Sequence, residues 1–338
     1  MTDEAQPLPA ALQMQQLLTG FEVSQALYVI AELEVATALL DGPRSIESLA
    51  AETHADSDAL GRIIRFLTPL GVFRSVEGGV EVTDLGRTLA DGPADSVRGL
   101  ARYWMETHYG PFSGLLHAAR TGEPGARKVL GKPFFDWVGE SPRLTALQNS
   151  AMAGGGRAVR GDLLDVYQLP QGRMIADIGG ADGTLLAELL TKSPERQGMV
   201  FDLPGVVSKA ADVLAAAGVA DRATAVAGDF FVDAVPTADI YVLSVVLHDW
   251  DDASALSILR NIAKAAPTGA RLVLVETVMP VGDGPHYAKM LDLTMLAMLG
   301  GRERTERQWH QLLAEAGFTV ERIVAGSGIV SAIEATLT

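Results

Sequence analysis

The spacing of hydrophobic and polar positions changes along the chain near residue 170. Before this point, apolar side chains recur every three or four residues, as at Ala26, Leu27 and Ile30, which is typical of amphipathic helices. From Arg173 onward, short apolar runs rich in β-branched residues alternate with helical stretches. This alternation predicts a doubly wound, mainly parallel sheet with helices on its faces.

The second half of the chain is predicted to hold most of the regular structure. The strands are 174–178, 199–202, 224–227, 240–247, 272–275, 318–324 and 328–335, and the helices are 184–191, 205–217, 253–266 and 286–299. The last two strands follow each other closely, which favours an antiparallel edge. The segment before them is expected to be a helical connector whose aromatic residues suit either core packing or a ligand pocket. The predicted domains are therefore 1–100, 101–170 and 171–338.

The first hundred residues carry the signals of a winged helix-turn-helix. Ser45 and either Asp56 or Ser57 are expected N-caps of two successive helices, and Gly71 is an expected C-terminal stop. Residues 72–83, with two central glycines, predict a β-hairpin. This fold can bind DNA, but the segment holds 6 Lys and Arg against 15 Asp and Glu. Phosphates would be repelled, so we expect the domain to contact another subunit instead.

The composition of the chain favours a globular protein and disfavours a disulfide-bonded, nucleic-acid-binding or membrane-spanning one. The 338 residues include 48% hydrophobic side chains, enough for a globular core, and no cysteine, which excludes disulfides and thiolate metal sites. A formal net charge of −15 disfavours nucleic acid as a partner. Apolar segments are too short to span a membrane, and the start MTDEAQPLPA lacks the features of a signal peptide. We expect a cytoplasmic enzyme that acts on small molecules.

The segment from Tyr241 to Asp252 is an apolar run that ends in His248 and three aspartates. Such a run predicts a strand buried on both faces, and ligands of open α/β sheets bind at the carboxyl ends of such strands. Histidine is the side chain best suited to take a proton near neutral pH. Asp249 is expected either to orient the histidine region or to form hydrogen bonds with the backbone. Asp252 is expected to cap the next helix. Adjacent residues rarely converge on one ion, so we expect no metal.

Acidic residues follow three successive predicted strands. Asp177 opens the glycine turn Asp177–Gly183, Asp202 ends the second strand and Asp229 ends the third. Glycine lets the backbone approach a ligand closely, and a strand-end carboxylate can accept hydrogen bonds from ribose hydroxyls. The glycine spacing matches neither the dinucleotide fingerprint nor a P-loop. The combination predicts a nucleoside-bearing cofactor without a pyrophosphate.

Several segments, in order, resemble the motifs of one enzyme family. They are DIGGADG, FDLP, GDFF, LHDWDD, LVETVMP and GGRERTERQWHQLLAEAGF. They are similar to those of the small-molecule O-methyltransferases that use S-adenosylmethionine, of the caffeic-acid and hydroxyindole type with bacterial polyketide-tailoring members. The resemblance extends from about residue 10 to residue 338. It implies a Rossmann-like class I methyltransferase sheet, a mainly helical winged-helix dimerisation domain and a homodimer.

By this resemblance, His248 is the general base that deprotonates an aromatic hydroxyl as its oxygen attacks the sulfonium methyl group, and no metal is required. Glu276 and Glu303 would orient the histidine. The residues implied in cofactor binding are Gly179, Gly180, Gly183, Asp202, Leu203, Asp229, Phe230, Phe231 and Ser244. The candidates for acceptor binding are Asn149, Met152, Trp250, Met290, Asp292 and Met295, among which Asp292 is chosen as a polar residue on an apolar helix face. Ser244 departs from the plant pattern, which often has a lysine there near the adenine.

Alternatives stay open for individual residues and for the whole chain. Glu276 could be a strand-end charge in solvent, and Glu303 an ion-pair partner of a neighbouring arginine. Asp292 could be a surface partner of Lys289, and the methionines of its helix are equally suited to core packing. For the chain, the alternatives are an enzyme of the same fold that binds the cofactor but does not methylate, such as a hydroxylase, and, more remotely, a DNA-binding regulator.

Overall fold

The structure is a computed structural model that describes residues 8–93 and 95–338, without the side chains of residues 153–158. Residues 1–7, which enter the signal-peptide argument and the predicted first domain, lie outside the described residues. The chain divides into two compact units. The first is the described part of Met1–Gly110 with Phe135–Gly156, and the second is Pro111–Phe134 with Arg157–Thr338. The predicted boundaries near residues 100 and 170 stay predictions.

The helices occupy both units, and none of those described is long and apolar enough to cross a membrane. In chain order they are α1 (Ala10–Leu18), α2 (Gly20–Glu32), α3 (Val35–Ala38), α4 (Ile46–Thr53), α5 (Ser57–Leu67), α6 (Asp84–Arg87), α7 (Arg98–Thr107), α8 (Leu115–Thr121), α9 (Gly125–Leu130), α10 (Phe134–Gly139), α11 (Pro142–Arg160), α12 (Leu163–Val166), α13 (Thr184–Lys192), α14 (Pro204–Val207), α15 (Ala210–Ala216), α16 (Asp252–Ala265), α17 (Tyr287–Met298) and α18 (Glu306–Glu315). Short 3₁₀ helices span Thr68–Leu70, Pro111–Gly114 and Leu247–Asp249.

The N-terminal residues fold as the predicted winged helix-turn-helix. The Ser45 hydroxyl accepts the Ser48 N–H at 3.2 Å at the start of α4. The Asp56 carboxylate accepts the Ala59 N–H at 2.9 Å at the start of α5, so both predicted caps are confirmed. Gly71, at φ 82°, supplies the left-handed stop after the following 3₁₀ turn. Strands β1 (Phe73–Val76) and β2 (Gly79–Val82) then pair as the predicted antiparallel hairpin.

In the described residues of the second unit, seven strands form one sheet. They are β3 (Met174–Ile178), β4 (Gln197–Asp202), β5 (Ala223–Ala227), β6 (Ile240–Ser244), β7 (Arg271–Glu276), β8 (Phe318–Ala325) and β9 (Ser331–Leu337). Their order is β5-β4-β3-β6-β7-β9-β8, in which β9 pairs antiparallel with β7 and β8 while the other pairs are parallel. The predicted parallel sheet with an antiparallel edge is confirmed.

Several predicted elements differ from the structure in their bounds, and two of these differences change the course of the chain. The segment 205–217 forms the two short helices α14 and α15 instead of one. The strand predicted to reach Leu247 ends at Ser244, because Val245 takes a left-handed φ of 56° that turns the chain out of the sheet. This early end of β6 shapes the turn that carries His248.

The sheet is buried on both faces, which explains its continuous apolar runs. In β6, Tyr241 and Leu243 belong to one core cluster, while Ile240 and Val242 belong to the other. This is the alternation expected of a strand, and each buried side chain of this size contributes about 1.5–3 kcal/mol of stability. Since both faces are covered, the carboxyl ends of the parallel strands are the places where polar functional groups can stand.

Candidate active site

The turn after β6 places His248 at the carboxyl end of its strand, with 5% of its surface exposed. Glu276 ends β7 and is fully buried. One of its carboxylate oxygens accepts the N–H groups of Val246 at 2.9 Å and Leu247 at 2.7 Å. The other oxygen has no hydrogen-bond partner within the described part of the chain. Glu276 therefore holds the backbone that precedes the histidine, and the alternative of a solvent-exposed charge is wrong.

Glu303 contacts the imidazole of His248 directly. Its Oε1 lies 2.7 Å from Nδ1, and its Oε2 accepts the Thr277 hydroxyl. Because an ionised carboxylate can only accept, Nδ1 carries the proton of this pair, and Nε2 is the nitrogen that can receive one. The arginines on either side of Glu303 pair with Asp252 instead, so the alternative of a Glu303 ion pair is wrong.

Arg304 and the backbone beside it clamp the histidine turn. The Arg302 N–H donates to the His248 carbonyl oxygen at 2.9 Å. The guanidinium of Arg304 is fully buried and donates to the carbonyl oxygens of Leu247 and Trp250, both at 2.9 Å. Sequence reasoning missed this role, because a charged residue in a polar loop is normally solvated. The sequence feature that could have indicated this role is the pair of arginines after Gly300 and Gly301, together with the aspartate-rich segment after His248.

The cap of α16 is Asp251, one residue before the predicted Asp252. The prediction that Asp252 caps α16 is wrong, because the helix begins one residue earlier than expected. The Asp251 carboxylate accepts the Ser254 N–H at 2.7 Å and is the cap. Asp252 pairs with Arg302 at 3.2 Å and with Arg304 at 2.9 Å, and so it offsets the buried charge of Arg304.

A second carboxylate faces the other ring nitrogen of His248. The Oδ1 of Asp249 lies 3.3 Å from Nε2. Burial alone would lower the pKa of His248. The carboxyl groups of Asp249, Glu303 and Glu276 outweigh burial and raise this pKa to about 10. Burial also raises the pKa of Asp249 to about 6 and that of Glu276 to about 7, so these groups titrate together with His248.

The glycine turn after β3 is packed closely against its neighbours. A Cβ on Gly179 would lie 2.9 Å from the Val246 side chain, and one on Gly180 would lie 2.6 Å from the Asp177 carboxylate. Asp177 is buried, and neither carboxylate oxygen has a partner among the residues that the structure describes. Burial, with Asp202 nearby, raises its pKa to about 7. The sequence motif predicted no separate role for Asp177. A ligand with a positive charge suits this acidic edge of the sheet.

Asp202 ties the end of β4 to the glycine turn. Its carboxylate accepts the N–H groups of Ala181 at 2.9 Å and of Leu203 at 2.7 Å. A carboxylate has further lone pairs, so Asp202 can also accept the hydroxyls of a ribose. Gly183, at φ 79°, leads into α13, and Ser244 ends β6. The cofactor residues predicted on these strands therefore all stand at carboxyl ends of the parallel sheet.

The loop after β5 carries an aromatic cluster. Asp229 accepts the Phe231 N–H at 2.8 Å and so shapes the loop. Asn261 of α16, which sequence reasoning missed, donates to two carbonyl oxygens of the loop at 2.9 Å, one of them that of Phe230. Phe230, Phe231 and Trp250 meet edge to face with ring centroids 4.7 to 6.1 Å apart. The structure thus places Trp250 in this cluster, and its contact with an acceptor stays a prediction.

Three of the predicted acceptor residues lie on α17. Met295 is buried and Met290 is 40% exposed. Asp292 accepts the Glu303 N–H at 2.9 Å. The ammonium of Lys289 donates to two carbonyl oxygens of the preceding loop, so the alternative of a Lys289–Asp292 pair is wrong.

The remaining predicted acceptor residues, Asn149 and Met152, are exposed on the part of α11 that belongs to the first unit. Their role stays a prediction. Across residues 8–93 and 95–338, no group of three or more metal-ligating side chains is placed to hold an ion. The expectation of a metal-free reaction stays a prediction as well.

The sequence matches two protein families. Residues 112–319 match the O-methyltransferase domain, and residues 15–92 match the O-methyltransferase dimerisation domain. Phenazine O-methyltransferase PhzM of Lysobacter antibioticus is 38% identical, over 98% of this chain and 98% of its own length. Aclacinomycin 10-hydroxylase RdmB of Streptomyces purpurascens is 34% identical, over 87% of this chain and 81% of its own length.

A solved structure of an O-methyltransferase is also similar to this chain. NcsB1, an O-methyltransferase from neocarzinostatin biosynthesis, was solved in complex with S-adenosylmethionine and 2-hydroxy-5-methyl naphthoic acid. It is 33% identical to this chain with a TM-score of 0.77, and the match covers 94% of this chain and 96% of NcsB1. The chain therefore belongs to the O-methyltransferase family, and its predicted fold and enzyme class, an S-adenosylmethionine-dependent O-methyltransferase with a dimerisation domain, are confirmed.

Proposed function

We propose that this enzyme methylates a hydroxyl group of an aromatic, polyketide-type small molecule, with His248 as the general base. The observation that carries the proposal is the 2.7 Å bond between His248 Nδ1 and Glu303, which leaves Nε2 as the nitrogen that receives a proton. The name of one relative, a phenazine O-methyltransferase, and the naphthoic acid bound to another support an aromatic acceptor.

The acceptor hydroxyl is proposed to take the place of Asp249 at Nε2. When bound, S-adenosylmethionine supplies an electrophilic methyl group on a sulfonium and leaves as the neutral thioether. His248 takes the hydroxyl proton as the oxygen attacks. The hydrogen bond to Glu303 raises the pKa of His248 and so makes its imidazole a stronger base toward a phenol, whose own pKa is about 10. Before this step, Asp249 is proposed to take up the proton that Nε2 carries in the free site, and Glu303 stabilises the imidazolium that then forms. Alignment of the acceptor oxygen, the methyl carbon and the sulfur is expected to supply much of the rate enhancement that the base does not provide.

The carboxyl edge of the sheet fits S-adenosylmethionine. Asp202 would accept the ribose hydroxyls, Asp229 and Phe230 would contact the adenine, and the glycine turn would surround the methionine part. The buried carboxylate of Asp177, which has no partner in the described chain, suits a ligand with two positive charges. Ser244 provides a hydroxyl near the adenine in place of a lysine.

We also propose that the enzyme works as a homodimer through its N-terminal domain. Within the described chain, α1 has no buried residue and exposes the apolar side chains of Leu12, Leu17 and Leu18. An exposed apolar face of this kind is typical of an interface. The predicted cytoplasmic location and the expected absence of a nucleic-acid partner stay predictions.

A second candidate function is hydroxylation, because the similar protein RdmB is named a hydroxylase. Methyl transfer to oxygen needs a base beside the acceptor, and His248 held by Glu303 provides one. We therefore favour methyl transfer.

Incubation with methyl-labelled S-adenosylmethionine and a panel of phenols, hydroxynaphthoic acids and hydroxyphenazines tests the proposal. The expected result is label on a phenolic oxygen, with a rate about 10²–10⁴-fold lower in His248→Ala. His310→Ala, which changes an exposed histidine of α18, is the matched control. Full activity of His248→Ala would refute the base assignment, and an acceptor that gains oxygen but no label would favour the hydroxylase.

A further inference from the structure

We propose that Asp292 is a positioning residue, which fixes the backbone of Glu303 so that the Glu303 carboxylate holds the His248 imidazole. The proposal rests on the general-base function of His248 proposed above. It replaces the acceptor-binding role that the sequence predicted for Asp292.

Glu303 is held at three points, each on a different element. Its N–H donates to Asp292 of α17 at 2.9 Å, its Oε1 lies 2.7 Å from His248 Nδ1, and its Oε2 accepts the Thr277 hydroxyl after β7. Glu303 itself lies in residues 301–305, a segment without regular secondary structure. The backbones of both neighbours are also bonded, because Arg302 N–H donates to the His248 carbonyl oxygen and the Arg304 carbonyl oxygen accepts the Met279 N–H, both at 2.9 Å. Between these two anchors, the bond from the Glu303 N–H to Asp292 sets the direction in which the Glu303 side chain leaves the backbone.

Asp292 does not contact the imidazole and acts on it only through Glu303. The helix that carries it, α17, packs against α9 and the 3₁₀ turn Pro111–Gly114 of the same unit. It also carries Met290 and Met295, which are predicted to contact the acceptor. A displacement of α17 by an acceptor would therefore be passed to the base through the Asp292 bond.

The carboxylate of Asp292 serves as a hydrogen-bond acceptor, and its negative charge is not required for the bond. The nearest lysine on the helix, Lys289, donates to the carbonyl oxygens of Gly282 and Gly284. An amide oxygen can accept the Glu303 N–H as well as a carboxylate oxygen can. Asp292→Asn thus preserves the bond, whereas Asp292→Ala and Asp292→Leu remove it.

Steady-state kinetics with an acceptor from the phenol panel tests the proposal. In Asp292→Ala we expect kcat to fall by about 10- to 100-fold with little change in the acceptor KM. The acidic limb of the kcat profile should move to lower pH, because a displaced Glu303 raises the pKa of His248 less. Asp292→Asn should keep kcat within about threefold of the wild type. Thr294→Ala, whose hydroxyl bonds only its own helix, is the control on α17.

A double-mutant cycle with Glu303→Gln separates the proposal from acceptor binding. If Asp292 acts through Glu303, Asp292→Ala adds little to the loss caused by Glu303→Gln. Additive losses, or a raised acceptor KM with an unchanged pH profile, would overturn the proposal. Binding of S-adenosylhomocysteine shows which variants are folded. If Asp292→Ala and Asp292→Leu do not fold, Asp292→Asn decides, and a large loss of its kcat would overturn the proposal. Full activity of Glu303→Gln or His248→Ala would instead refute the proposed function.

Discussion

At the scale of single residues, the imidazole of His248 has a carboxylate at each ring nitrogen, and the two are differently placed. Glu303 at Nδ1 is buried and also bound by Thr277. Asp249 at Nε2 has 21% of its side chain exposed and lies where the acceptor hydroxyl is proposed to bind. Because nearby carboxylates repel one another in a buried site, this cluster retains protons that exposed acids lose. The activity should therefore depend on pH through several residues at once.

Asp249→Asn should shift the acidic limb of the kcat/KM profile to lower pH by about one unit or more. The charge of Asp249 raises the pKa of His248, so its removal lowers this pKa, and Nε2 loses its proton at a lower pH. The measurement is kcat/KM from about pH 5 to 10 at constant ionic strength. Asp283→Asn, at an exposed loop position, is the control, and a limb that stays in place or moves upward would contradict the expectation.

Asp177→Asn should stabilise the cofactor-free enzyme above about pH 7. The pKa of Asp177 is raised by burial from 3.8 to about 7, so its contribution to stability is full below the ordinary pKa and is lost as pH rises through about 7. An amide cannot ionise, so the variant should lose this part of the pH dependence. Urea unfolding from about pH 4 to 8 measures it. Equal slopes in variant and wild type would count against the assignment, and weaker S-adenosylhomocysteine binding by the variant is expected.

At the scale of elements, side chains from neighbouring helices and loops hold the loops of the candidate site in place. Arg304 fixes the histidine turn, and a side chain on Gly301 would come within 2.0 Å of the His248 carbonyl oxygen. Asn261 of α16 fixes the loop that carries Phe230. The strands were predictable because their apolar runs are buried on both faces. These supports were not, because each bond joins segments far apart in the chain.

Asn261→Leu should raise the dissociation constant of S-adenosylhomocysteine by about tenfold, while the acceptor KM changes little. The substitution removes two hydrogen bonds to the loop, so the loop no longer holds Phe230, which is proposed to contact the adenine. Isothermal titration calorimetry measures the affinity. Ser257→Ala, at an exposed position of the same helix, is the control. Unchanged affinity in Asn261→Leu would mean that the loop does not contact the cofactor.

At the scale of the whole molecule, exposed apolar side chains concentrate in and around α1. Leu12, Met14, Leu17, Leu18 and Phe21 are each 44 to 75% exposed. The family match of residues 15–92 to a dimerisation domain gives this surface its expected partner, a second copy of the chain. Burial of such side chains between copies would remove a large apolar surface from water.

Replacing both Leu17 and Leu18 by Asp should convert a dimer into monomers at micromolar concentration. Two buried charges in an apolar interface cost far more than the contacts they replace. Analytical ultracentrifugation measures the mass. Val281→Asp, which changes a 94% exposed residue in the second unit, is the matched control and should leave the mass unchanged. A dimer that persists in the double variant would place the interface elsewhere.

The sequence by itself determined the order of strands and helices, the acids at strand ends and the position of His248 after β6. These depend on local periodicity and on where polar residues follow apolar runs, which the chain shows directly. The spacing of residues did not show which side chains are partners. Glu303 contacts His248 across 55 positions of sequence, a contact that only the family resemblance implied. The tertiary structure alone showed that Asp292 binds the Glu303 backbone and does not pair with Lys289. Such contacts depend on how segments that are far apart in sequence pack together. The spacing of residues within one segment carries no information about which segments meet.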